Sequence, residues 1–85
     1  MDLFIHYTQL PEGKSLDDVV GELNEVLDDS GVVCGGEENR IDLDLEDEKV
    51  NPKYAQMGVK AYLQRENFAP DTTVEIGCME ISIYA

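Results

Sequence analysis

Three stretches of this chain alternate apolar and polar residues with a period of two, and two others repeat apolar residues at helical spacing. Leu3, Ile5 and Tyr7 alternate with Asp2, Phe4 and His6, which predicts a strand over residues 2–8. Gln9–Lys14 holds Pro11 and Gly13 and reads as a loop. Ser15 then opens a helix as N-cap, with Asp18 as the acid of a capping box. Leu16, Val19, Val20, Leu23, Val26 and Leu27 form one helical face, and Gly31 is a natural stop. Val32-Val33-Cys34 reads as a short second strand and Gly35–Asn39 as a turn. Ile41, Leu43 and Leu45 alternate with Asp42, Asp44 and Glu46 in a third strand. Asn51-Pro52 starts a second helix, with Tyr54, Met57, Gly58, Ala61 and Tyr62 as its expected inner face. Asn67, Pro70 and Asp71 mark its exit loop. Thr72–Tyr84 reads as a last strand whose apolar phase changes near Gly77. A β-bulge at Gly77-Cys78 reconciles the two phases, and a tight hairpin is the alternative.

The order β-α-β-β-α-β, with right-handed crossovers, predicts an α+β domain spanning residues 1–85. The expected architecture is ferredoxin-like: four antiparallel strands with both helices on one face. The second and fourth strands then form the edges, which separates Cys34 from Cys78. Sequence reasoning places both thiols in the interior as reduced structural cysteines.

Charge narrows the function. The chain carries 19 Asp and Glu against 6 Lys and Arg, a net charge of −13. Such a chain repels nucleic-acid phosphates and anionic membranes, and it attracts basic protein surfaces. No run reaches the length of a membrane span, and the N-terminal residues lack the basic start of a signal peptide, so a cytoplasmic location is expected. Cys34 and Cys78 form no CxxC pair and no zinc-like spacing, and His6 is the one histidine, so a structural zinc site is not expected and no cofactor is implied.

Three candidate chemistries remain. The sheet face away from the helices is expected to gather His6 and Phe4 with Asp42, Asp44 and Glu46, joined by Glu80, Ser82 and Tyr84. His6 beside Asp42 and Asp44 would serve acid–base chemistry or hold a divalent cation; a solvated sheet face is the plainer account. The run from Asp42 resembles an EF-hand loop but places Asp47 where glycine is required and Lys53 where glutamate is required. RNA recognition on the open face would need aromatics among cations, and carboxylates stand there instead.

The third candidate is the acidic surface itself. Asp28 and Asp29 close the first helix, where they oppose its dipole. With Glu37, Glu38, Asp42, Asp44 and Glu46 they form the expected partner-binding set. Size, charge, and Gly35-Gly36 followed by Ile41-Asp42-Leu43-Asp44-Leu45 and a proline-started helix resemble the small acidic immunity proteins of bacterial toxin–immunity systems. That resemblance implies a non-catalytic inhibitor that blocks a basic site on a toxin or nucleic-acid enzyme. Phage inhibitors that mimic nucleic acid are similar in size and charge. A dimer through the sheet face or edge, using Phe4 and Tyr84, is a further expectation.

Overall fold

In a computed structural model, which describes residues 1–49 and 51–84, the chain forms two α-helices and a five-stranded antiparallel sheet. The elements are β1 (Asp2–His6), α1 (Leu16–Leu27), a 3₁₀ turn (Asp28–Ser30), β2 (Gly31–Glu37), β3 (Arg40–Leu45), α2 (Pro52–Arg65), β4 (Thr73–Ile76) and β5 (Met79–Ser82). The strand order is β2-β3-β1-β4-β5.

The fifth strand corrects the expected count of four. Gly77 and Cys78 are the two loop residues of a hairpin, so the long last strand folds back on itself and no bulge forms there. Gly77 has φ +61 and Cys78 has a negative φ, the pattern of a type II′ turn, in which the first central residue is glycine. The hairpin resolves the phase change by turning the chain over. Val74 then pairs with Ile81, and both reach the core side.

A bulge does occur on an edge strand, at the other side of the sheet. Val33 pairs with Leu43 and Gly35 with Asp42, which leaves Cys34 as the extra residue of β2. β2 therefore runs on through Gly35, Gly36 and Glu37, where sequence reasoning expected a turn. The reversal is confined to Glu38 and Asn39. A Cβ on Gly36 would collide with the Arg40 carbonyl oxygen, so glycine lets the two strands close.

The helix starts are as the sequence dictates. Ser15 Oγ accepts from the Asp18 N–H at 3.2 Å, and the Ser15 N–H donates to Asp18 Oδ2 at 3.1 Å. Asn51 Oδ1 accepts from the Lys53 N–H at 3.0 Å. α2 ends in a Schellman motif: Phe68 N–H donates to the Leu63 carbonyl and Asn67 N–H to the Gln64 carbonyl, with Asn67 at φ +61.

One face of the sheet carries the core. Leu3, Ile5, Ile41, Leu43, Leu45 and Val74 meet Val19, Leu23 and Leu27 of α1. The buried residues of α2 are Ala55, Val59, Tyr62 and Leu63. This corrects the expected inner face, since Tyr54 is 72% and Met57 59% exposed. α2 has two stripes at helical spacing that share Tyr62. The stripe with Val59 and Leu63 buries more apolar area than the one with Gly58 and Ala61, and it wins. Leu16 likewise stands 44% exposed at the end of the α1 stripe.

A polar clamp joins the helices. Lys14 Nζ lies 2.7 Å from Glu22 Oε2 and 3.0 Å from Glu66 Oε1, and the Tyr62 hydroxyl donates to Glu22 Oε1 at 2.7 Å. The hydrogen bonds from Lys14 hold both carboxyls below the ordinary glutamate value of 4.5, and they raise the Lys14 ammonium. Burial, and then Glu22, push the Tyr62 phenol up.

Two outcomes are expected. Gly36→Ala lowers stability by about 1–3 kcal/mol through the backbone collision, whereas Gly21→Ala, with open space around the added methyl in α1, raises it by about 0.5–1 kcal/mol. Urea unfolding of the two variants checks this. The depressed Glu22 carboxyl contributes stability above its unfolded value near 4.5, and that contribution is lost as pH falls through the lower folded value. The gap in melting temperature between the native chain and Glu22→Gln is therefore largest at neutral pH and narrows below pH 4.5.

Candidate functional site

The sheet face opposite the helices is built by register. Phe4 stands between Asp42 on β3 and Glu75 on β4, and His6 between Arg40 and Thr73. Glu75 faces Glu80 on β5, and Thr73 faces Ser82. The face therefore brings together His6, Phe4, Asp42, Asp44, Glu80 and Ser82, as the alternation predicts. It adds Arg40 and Glu75, which sequence reasoning left out. Val74-Glu75-Ile76 carried the signal for Glu75, because its alternation points the carboxylate to the open side.

Within that face the expected pairing of His6 with Asp42 and Asp44 does not form. Arg40 takes Asp42 in a bidentate grip, Nε to Oδ1 at 2.7 Å and Nη2 to Oδ2 at 3.0 Å. The same guanidinium lies 5.4 Å over the Phe4 ring and 3.8 Å from Glu37. Asp42, first among these groups, raises the affinity of Arg40 for its proton. Asp44 is at the other end of β3, 3.5 Å from the N-terminal ammonium. His6 turns to β4 and β5 instead: Nε2 lies 2.8 Å from Glu75 Oε1 and 3.8 Å from Glu80 Oε2.

Six of the seven expected partner-binding residues fall at the two ends of the β2–β3 hairpin, and the seventh, Asp42, lies between them. Asp29, Asp44 and Glu46 line one depression beside Met1, with Asp28 next to them in the 3₁₀ turn. Glu37 and Glu38 stand at the opposite, tip end of the hairpin, about 17 Å away along six residues of strand. Asp42 lies between them under Arg40. Glu46 sits beyond the end of β3 and accepts from the Glu48 and Lys49 N–H groups, so it is off the open face. Tyr84 is also drawn off that face, since its hydroxyl donates to the Phe68 carbonyl at 2.8 Å.

Sequence reasoning missed a groove altogether. A cavity of about 660 Å³ opens between the start of α1, the loop after β1 and the hairpin tip. Leu10, Leu16, Val20, Val33 and Ile41 form its floor, and Asp17, Glu37 and Glu38 its rim. No local signal announces it, because the floor comes from four separate elements.

Cys34 and Cys78 are free and exposed, which corrects their expected burial. The bulge in β2 lifts Cys34 out of the pleat, and the hairpin turn carries Cys78 into solvent. Among the described residues no helix is long and apolar enough to cross a membrane. The chain matches no protein-family model, no curated protein and no solved structure.

The exposure of both cysteines gives a simple check. Iodoacetamide at pH 8 adds two carbamidomethyl groups to the native chain without denaturant, as intact mass would record; protection of either thiol until unfolding would contradict the placement.

Proposed function

We propose that this chain is a non-catalytic binding domain that blocks a basic site on a partner protein, in the manner of an immunity-type inhibitor acting in the cytoplasm of a bacterial cell. The fold is read as a ferredoxin-like unit, order β2-β3-β1-β4, extended at one edge by β5. The observation that carries the proposal is the groove beneath the hairpin tip, where an apolar floor is rimmed by Asp17, Glu37 and Glu38. Apolar floors flanked by charge suit an arginine- or aromatic-bearing anchor from a partner, which buries its body while its cation meets the rim. The acids at the far end of the hairpin, Asp28, Asp29, Asp44 and Glu46, extend the same sign of charge along the strand. They add long-range steering more than contact energy.

This reading accounts for the helix-end acids. α1 has no basic residue in its last turn, and Asp28 and Asp29 follow it directly. Their placement costs helix stability and supplies surface potential. A nucleic-acid mimic would present the same chemistry to a phosphate-binding cleft, and it differs in the partner alone. The dimer reading has less support. Phe4 is covered by Arg40, and Tyr84 is hydrogen-bonded to its own chain, which occupies the two aromatics that reading needed.

The test is capture of a partner by the tagged chain at low and moderate salt, with the native chain against two variants. Glu37→Lys with Glu38→Lys should weaken capture of a basic protein at least about tenfold, and Leu16→Ala, which removes apolar contact and no charge, should weaken it without changing the salt dependence. Capture unaffected by the rim reversal would overturn the placement, and a partner without a basic surface would overturn the proposal.

A further inference from the structure

The second surface of the molecule, the open sheet face, contains a donor set that the binding proposal does not use. We propose that His6 Nε2, Glu75 and Glu80 form a site for a divalent transition-metal ion of the zinc class. Their donor atoms all lie within 4.8 Å of one another. A tetrahedral cation at about 2.0–2.2 Å from each of three donors holds neighbouring donors about 3.3–3.6 Å apart. The observed separations from Nε2 are 2.8 Å to Glu75 and 3.8 Å to Glu80, and these bracket that spacing. Small rotations of two glutamate side chains close the difference.

Three features make this more than a histidine resting against an acid. First, Glu75 and Glu80 are direct cross-strand partners on one face, and like charges at such positions repel. His6 is the cation they share within 4 Å, and it is charged only when protonated. A bound dication removes the repulsion at any pH at which the carboxylates are ionised. Second, the geometry is held by the backbone. The two-residue turn at Gly77-Cys78 fixes Glu75 opposite Glu80, and the β1–β4 ladder fixes His6 diagonal to Glu75. Third, the donor types select the ion. One imidazole nitrogen with two carboxylate oxygens suits a zinc-class ion, whereas calcium takes six to eight oxygens and magnesium keeps an oxygen and water shell. Three protein donors leave further coordination positions to water or to a ligand from outside.

The neighbouring carboxylate is accounted for. Asp42 is held by Arg40 and does not join the set, which confines the site to three residues. None of them lines the groove, so failure of the partner proposal leaves this one standing, and the reverse also holds.

His6 is the sole histidine of the chain, so its imidazole gives one unambiguous pair of carbon-bound proton signals. Zn²⁺ is titrated into the full chain and followed by those signals and by calorimetry. The expected result is saturable 1:1 binding that shifts the His6 signals, and Glu75→Gln or Glu80→Gln should each weaken it at least about tenfold. Glu80 is exposed, so its variant keeps the fold, as circular dichroism would verify. Cys34→Ser with Cys78→Ser, and Glu37→Gln with Glu38→Gln, should leave the affinity unchanged. Unshifted His6 signals under excess Zn²⁺, binding that survives His6→Gln, or loss of binding in the cysteine variant would overturn the site. Equal binding of Mg²⁺ or Ca²⁺ would overturn the choice of ion.

Discussion

The position of β1 between β3 and β4 is the constraint on which the rest of this structure depends. Leu3 and Ile5 have no exposed surface, and each is paired on both sides. A slip of one residue would turn both out to solvent and drive Phe4 and His6 into the core, so burial of two side chains fixes the register of three strands. That register then decides the chemistry of the opposite face. With Leu3 and Ile5 inward, His6 has to stand between Arg40 and Thr73, one step diagonal from Glu75.

A chain of net charge −13 folds here by separating its charge from its core rather than by pairing it. The helices cover a single side of the sheet, so carboxylates have the open face, the hairpin and the helix exteriors to occupy. Two cations hold crowded points together. Lys14 bridges Glu22 and Glu66 where α1 meets α2, and Arg40 grips Asp42 while covering Phe4. The remaining acids at the hairpin tip and at the end of β3 stand in solvent, where each other's field reinforces the surface potential.

The groove and the His6 cluster lie on opposite sides of the same sheet, the groove over β2 and β3 and the cluster over β1, β4 and β5. Ile41 floors the groove while its neighbours Arg40 and Asp42 point to the open face. Tyr7 lies by the groove and His6 on the other side. The period of two in a strand thus sends adjacent residues to different faces of the sheet.

Local signals in the sequence determined both helix starts, the alternating strands β1 and β3, the single-sided core and the acidic surface. Capping boxes, proline at the first helical turn and period-two alternation act within a few residues, so they are legible along the chain. Tertiary structure decided the rest. α2 carries two stripes of similar spacing, and packing against the core chose Val59 and Leu63 over Met57 and Ala61. The phase change at Gly77 fitted either a bulge or a hairpin, and pairing of Val74 with Ile81 chose the hairpin. The partners of His6 and Asp42, and the groove under the hairpin tip, are set by residues far apart in sequence. Register and packing bring such residues together, and no interaction within either segment specifies them.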